Sequence, residues 1–110
     1  MIWTAWNNGS YHASGAGYGF KVDANDRDRY FRHNWGTVFV ELPRGLTFAR
    51  AEVNVTKSSF WVPQCDELIS QVIGRWLLDE GYAPWPQSAS PKFEVDPAGD
   101  RRFVLKGCVA

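Results

Sequence analysis

The chain has 110 residues and a formal charge of zero, twelve basic side chains standing against twelve acidic ones. That balance excludes the strong attraction to phosphate of a typical nucleic-acid binder and gives no support to a trap for acidic ligands. No stretch approaches the roughly 18 apolar residues of a membrane-spanning helix. One globular domain over residues 1–110 is expected, large enough to bury a core without disulfide or metal. Met1 is followed directly by Ile2, Trp3 and Thr4 rather than by a basic and apolar leader, so a soluble cytoplasmic protein is expected. Aromatic content is the outlier: six Trp, four Tyr and seven Phe carry much area each, so a small domain can build its core from them, with some expected to remain for an interface.

Met1 to Trp6 reads as a first strand ending in the turn residues Asn7, Asn8 and Gly9. A glycine-rich loop carrying Tyr11, His12, Gly15 and Gly17 then feeds a strand in which Tyr18, Phe20 and Val22 share a face. Asp23 to His33 alternates in charge and predicts a short solvated helix capped by Asn25 or Asp26. An Asp28 to Arg32 pair is expected along it, with Tyr30, Phe31 and Trp35 turned inward.

Thr37 to Pro43 is a strand by composition, with Val38, Val40 and Leu42 on one face and Phe39 and Glu41 on the other. Arg44 and Gly45 turn the chain into a second strand, Leu46 to Thr56, placing Ala49, Ala51, Val53 and Val55 together and Phe48 and Arg50 on the reverse. These two strands form a hairpin with Glu41 and Arg50 on compatible faces. Tyr82 to Pro91, with Pro84, Pro86 and Pro91 around Trp85, reads as a stiff strap. Lys92 to Val95 and Arg102 to Lys106 flank the turn Pro97 to Asp100 as a terminal hairpin.

Between them, Pro63 to Gly81 predicts the one long helix. Pro63 suits a first helical position, Asp66 and Glu67 complement the helix dipole, and Gly81 followed by Pro84 stops it. At about 100° per residue, Cys65, Leu68, Ile69, Val72, Ile73, Trp76 and Leu77 share a sector, and Gly74 and Arg75 fall opposite. The fold class that follows is α+β: an antiparallel sheet of about five or six strands with this amphipathic helix on one face. The bare face then carries Phe39, Phe48 and Arg50, an expected interface for self-association.

Among candidate sites, Cys65 with His12 or His33 suggests a thiol nucleophile and base. Cys65 falls in the apolar sector beside Asp66 and Glu67, however, which oppose a thiolate, so it reads as core. Cys65 and Cys108 are expected as free thiols. His12, His33, Cys65 and Cys108 show no ligand spacing, and the acidic run from Asp23 places Arg27 and Asp28 where a calcium loop needs a ligand and a glycine. No metal or cofactor is expected. Gly15, Gly17 and Gly19 precede a strand, whereas a dinucleotide fingerprint opens a helix. Arg27, Arg29 and Arg32 with Trp35 would suit single-stranded nucleic acid, but interleaved aspartates neutralise them.

The remaining constellation is Trp6, Asn7, Asn8, Tyr11, His12 and Tyr18, joined by Trp35: indoles, phenols and amides around a glycine-rich loop, suited to a small polar ligand or a sugar. The same residues equally suit the closing of one end of the core.

The run WNNGSYHASGAGYGFKV, with NWGTVFVELP and the FW pair before the predicted helix, resembles small uncharacterised bacterial proteins of the kind carried on mobile gene cassettes. The resemblance implies a compact cytoplasmic domain and no assigned activity. Independently of the resemblance, surplus aromatics without a convincing catalytic group make the expected function a non-enzymatic binding or interaction module, homo-oligomeric, with room for a small polar ligand. The alternatives are a small enzyme using His12 as general acid or base, and a weak single-stranded nucleic-acid binder.

Overall fold

A computed structural model describes residues 1–61, 66–86 and 88–109. Seven strands form one mixed sheet: β1 (Ile2–Asn7), β2 (Tyr18–Val22), β3 (Thr37–Arg44), β4 (Thr47–Asn54), β5 (Glu67–Ile69), β6 (Lys92–Pro97) and β7 (Arg102–Val109). Their order is β4-β3-β7-β6-β1-β2-β5, and every pair is antiparallel except β3 with β7. The sheet curls until its edge strands β4 and β5 approach one another, giving a nearly closed barrel. Among the described residues two short α-helices, α1 (Ala24–Tyr30) and α2 (Gln71–Asp79), and one 3-10 turn (Ser58–Trp61) complete the fold. No helix among the described residues is long and apolar enough to cross a membrane.

This corrects the expected α+β fold, an antiparallel sheet of about five or six strands with one long helix on one face. The stretch read as a single helix is divided. Glu67–Ile69 adds β5 to the edge of β2, pairing Leu68 with Phe20, and flanking hydrogen bonds run from Val22 N–H to Asp66 O (3.0 Å) and from Ser70 N–H to Tyr18 O (3.1 Å). Ser70 then caps α2, its Oγ accepting from Val72 N–H at 3.1 Å. The apolar spacing of residues 68–77 satisfies a helix face throughout, yet Leu68 followed by exposed Ile69 is also half of a strand alternation. The open edge of β2 decides between them. Val72, expected on the core side, is exposed, and Gly74, expected opposite, is buried. Pro63 and Cys65 lie outside the described residues.

The alternating patterns translate directly into the barrel interior. Val38, Val40 and Leu42 of β3, and Tyr18, Phe20 and Val22 of β2, are fully buried. The β3–β4 hairpin pairs Glu41 with Arg50, although the ion pair of Glu41 is made with Arg102 at 3.4 Å. Burial of these apolar side chains, at roughly 1.5 to 3 kcal/mol each, is what offsets the chain entropy lost on closure. α2 contributes Ile73, Trp76 and Leu77, and packs against both β2 and β4, bridging the two ends of the sheet. Trp76 Nε1 donates to Pro43 O at 2.8 Å, tying the helix to the end of β3.

The first helix departs from expectation in detail. Its cap is Asp23, whose Oδ2 accepts from Asn25 N–H at 3.2 Å. Asp28 pairs with Arg27 (3.1 Å). Arg27 is buried, not solvated: Nη1 donates to Phe60 O at 3.0 Å and the guanidinium lies 5.7 Å from the Trp61 ring centre.

Candidate functional site

The end of β1 carries the site. The β1–β2 ladder sets Trp6 opposite Gly19 and Asn7 opposite Tyr18. Beyond it the chain turns on two amides. Asn7 Oδ1 accepts from Gly9 N–H (2.7 Å) and Tyr11 N–H (3.3 Å), and Asn8 Oδ1 accepts from Ser10 N–H (3.0 Å). Tyr11 is thereby held at a positive φ of 51°, with its ring turned back over the strand end.

The loop is fastened to α2 on its far side. Gln71 Nε2 donates to Ser14 O (3.1 Å) and Arg75 Nη1 donates to Ala13 O (2.9 Å). Gly15 and Gly74 let the two backbones touch, and a Cβ on Gly15 would stand 2.5 Å from Gln71 O and 2.6 Å from Arg75 N.

The opposite wall is the proline-rich strap, whose end is held by Ala5 N–H donating to Pro91 O at 2.8 Å. Tyr11 Oη donates to Trp85 O at 3.4 Å, joining loop to strap. Tyr11, Tyr18 and Trp85 meet edge to face, with centroids 5.5 to 5.8 Å apart and planes inclined by 70° to 80°. Between loop and strap lies a cavity of about 430 Å3 lined, among the described residues, by Ala5, Trp6, Asn7, Gly9, Tyr11, Trp85 and Ser90.

None of these lining side chains is ionisable below the range of tyrosine, so charge is absent from the walls. Hydrogen-bond donors are not. Asn7 Nδ2 is enclosed with no acceptor among the described residues, and so is the hydroxyl of fully buried Tyr18 just behind the wall. The indole N–H groups of Trp6 and Trp85 and the hydroxyl of Ser90 make no hydrogen bond to the described residues either.

Burial, and after it the neighbouring Tyr11 phenol, pushes the Tyr18 phenol above its ordinary value of 10.0. Tyr82 is pushed the same way, by burial first and then by Cys108 and Glu80. The stability these neutral phenols contribute is fully present below the unfolded value near 10 and is lost as pH rises through the folded ones, because the unfolded chain ionises first. Urea unfolding of Tyr18→Phe should show little loss, or a gain, near pH 7, within about 1 kcal/mol, since the hydroxyl has no partner among the described residues. Above about pH 10 the variant should lose stability less steeply than the parent. A loss of more than about 2 kcal/mol near pH 7 would mean that the hydroxyl is hydrogen-bonded after all.

Of the residues singled out in the sequence, Trp6, Asn7 and Tyr11 line the cavity and Tyr18 backs it. Asn8 and His12 are exposed and lie outside the lining; Asn8 holds the loop, and His12 offers only its backbone O, to Gly15 N–H. Trp35 belongs elsewhere, packed on Phe31 and Phe103. Sequence reasoning missed Trp85 and Ser90. The available signal was an indole between two prolines, an apolar ring on a segment unable to enter a sheet.

The other candidates fall apart in space. His33 stacks on Trp61 at 3.7 Å, Cys108 is exposed on β7, and Cys65 lies outside the described residues. Phe39 is covered by Arg50 (4.1 Å) and Arg101 (5.7 Å), while Phe48 and Arg50 are exposed. Arg27, wanted for a nucleic-acid platform, is buried. No protein-family profile, curated protein or solved structure matches the chain.

Proposed function

We propose that the protein is a non-enzymatic binding module that takes one small, uncharged polar ligand in the pocket between the Asn7–Gly17 loop and the strap. The observation that carries this reading is a concave wall of Trp6, Tyr11 and Trp85 that, among the described residues, carries no charged side chain and has donors making no hydrogen bond within the protein. A cavity of about 430 Å3 is within the roughly 300–1,000 Å3 of small-molecule sites. The walls are also held from several directions, by the Asn7 turn, by α2 and by the Tyr11 to Trp85 contact, which reduces the ordering cost of binding.

The enzyme alternative requires a base beside the ligand, and its only candidate, His12, is on the exposed side of the loop. Self-association through Phe39, Phe48 and Arg50 has less support, because Arg50 already covers Phe39 and leaves Phe48 as the exposed ring.

A thermal-shift screen of neutral polar compounds tests the proposal. A ligand at a hundredfold excess over its Kd stabilises by about 2.7 kcal/mol. Trp85→Ala should weaken such binding at least tenfold. Hits that stabilise Trp85→Ala as much as the parent would place binding elsewhere and end the proposal.

A further inference from the structure

We infer that the ligand of this pocket is a neutral pyranose sugar, an assignment that rests on the pocket being a binding site. Ring geometry is the first ground. Tyr11 and Trp85 meet at 76° with centroids 5.5 Å apart, and Tyr18 meets Trp85 at 70°. Tyr11 and Trp85, two of the three rings of the lining, therefore close a corner, in which a thick pyranose chair can set its apolar C–H face against one ring and its rim against the other.

The donor balance is the second ground. Trp6 Nε1, Trp85 Nε1 and the Ser90 hydroxyl belong to lining residues and make no hydrogen bond among the described residues, while Asn7 Oδ1 accepts from Gly9 and Tyr11 N–H and the Tyr11 hydroxyl donates to Trp85 O. The partner that fits is one with several acceptor oxygens, which the ring, glycosidic and hydroxyl oxygens of a sugar supply. Charge is the third. A carboxylate or ammonium group would lose its hydration here without meeting an opposite charge, at a cost that neutral hydroxyls escape.

The experiment follows the indole N–H signals of the 15N-labelled full chain during titration with glucose, galactose, mannose and N-acetylglucosamine, and in parallel with glucuronate, adenine and indole. At least one neutral sugar should shift the Trp6 and Trp85 signals saturably, with glucuronate at least tenfold weaker. Trp85→Phe, which keeps a ring in the wall and removes its N–H, should lower affinity at least threefold, and Ser90→Ala should lower it as well. Phe48→Ala, at an exposed ring outside the pocket lining, should leave it unchanged. If adenine or indole saturates these signals and no sugar does, or if glucuronate binds best, the sugar assignment is overturned while the pocket remains a binding site. If no probe moves them, the assignment and the binding-module reading fail together.

Discussion

Replacing Gly74 with alanine should destabilise the protein by about 2–3 kcal/mol, the upper part of the roughly 1–3 kcal/mol range for forcing extra atoms into a packed region. Helix propensity alone gives the opposite sign, since alanine is favoured over glycine inside a helix by up to about 1 kcal/mol. The contact decides. A Cβ on Gly74 would overlap the carbonyl oxygen of Gly15, and it would stand 2.6 Å from the Cα of that residue, so backbone must move. Gly15 cannot yield easily, because it sits at a φ of +91° in a loop fastened through Ser14 and Ala13 to the same helix. At roughly 4 °C per kcal/mol for a chain of this size, the midpoint of thermal unfolding should fall by about 8–12 °C. Gly36→Ala is the control, since nothing stands within 4 Å of its Cβ position. An unchanged or raised midpoint for Gly74→Ala would show that loop and helix are not in contact, and would remove one support of the pocket wall.

Trp3→Ala should be more damaging, about 3–5 kcal/mol, against a total stability of about 5–15 kcal/mol for a domain of this kind. Trp3 is fully buried, with Phe103 at 5.4 Å, Phe20 at 5.7 Å and Phe31 at 6.4 Å from its ring centre. Its removal therefore opens a cavity where β1, β2, β7 and the end of α1 converge. Trp3→Phe is the informative partner. It keeps a ring in place and deletes Nε1, which has no acceptor among the described residues, so its cost should stay below about 2 kcal/mol. Urea unfolding of both variants separates the contributions; equal losses would mean that the indole N–H is bonded in solution.

How much of this was legible beforehand differs by element. The β3–β4 hairpin was readable because Val38, Val40 and Leu42 alternate without interruption and Arg44–Gly45 marks the turn; even the Glu41–Arg50 opposition is realised. β1, β2 and the terminal hairpin were readable for the same reason. Residues 67–79 were not, because Leu68, Ile69, Val72 and Ile73 satisfy a helical period while the hydrogen bonds offered by the edge of β2 convert the first three residues of the stretch to strand. The pocket was half legible. Trp6, Asn7 and Tyr11 announced themselves by proximity in the chain, whereas Trp85 and Ser90 arrive from about eighty residues away through the Ala5–Pro91 and Tyr11–Trp85 hydrogen bonds.

The amino-acid sequence by itself determined which side chains face inward along most strands and where the chain turns. Those are local properties, written in alternation and in glycine, proline and asparagine. The tertiary structure alone decided that β3 and β7 run parallel, that the sheet curls almost closed, that the predicted helix yields a strand and a shorter helix, and that loop and strap enclose a pocket. The physical reason is that these choices rest on backbone hydrogen bonds at sheet edges, which nearly every residue can make and which leave no signature in side-chain pattern, and on a contact between Gly15 and Gly74 whose partners lie about sixty residues apart in the chain.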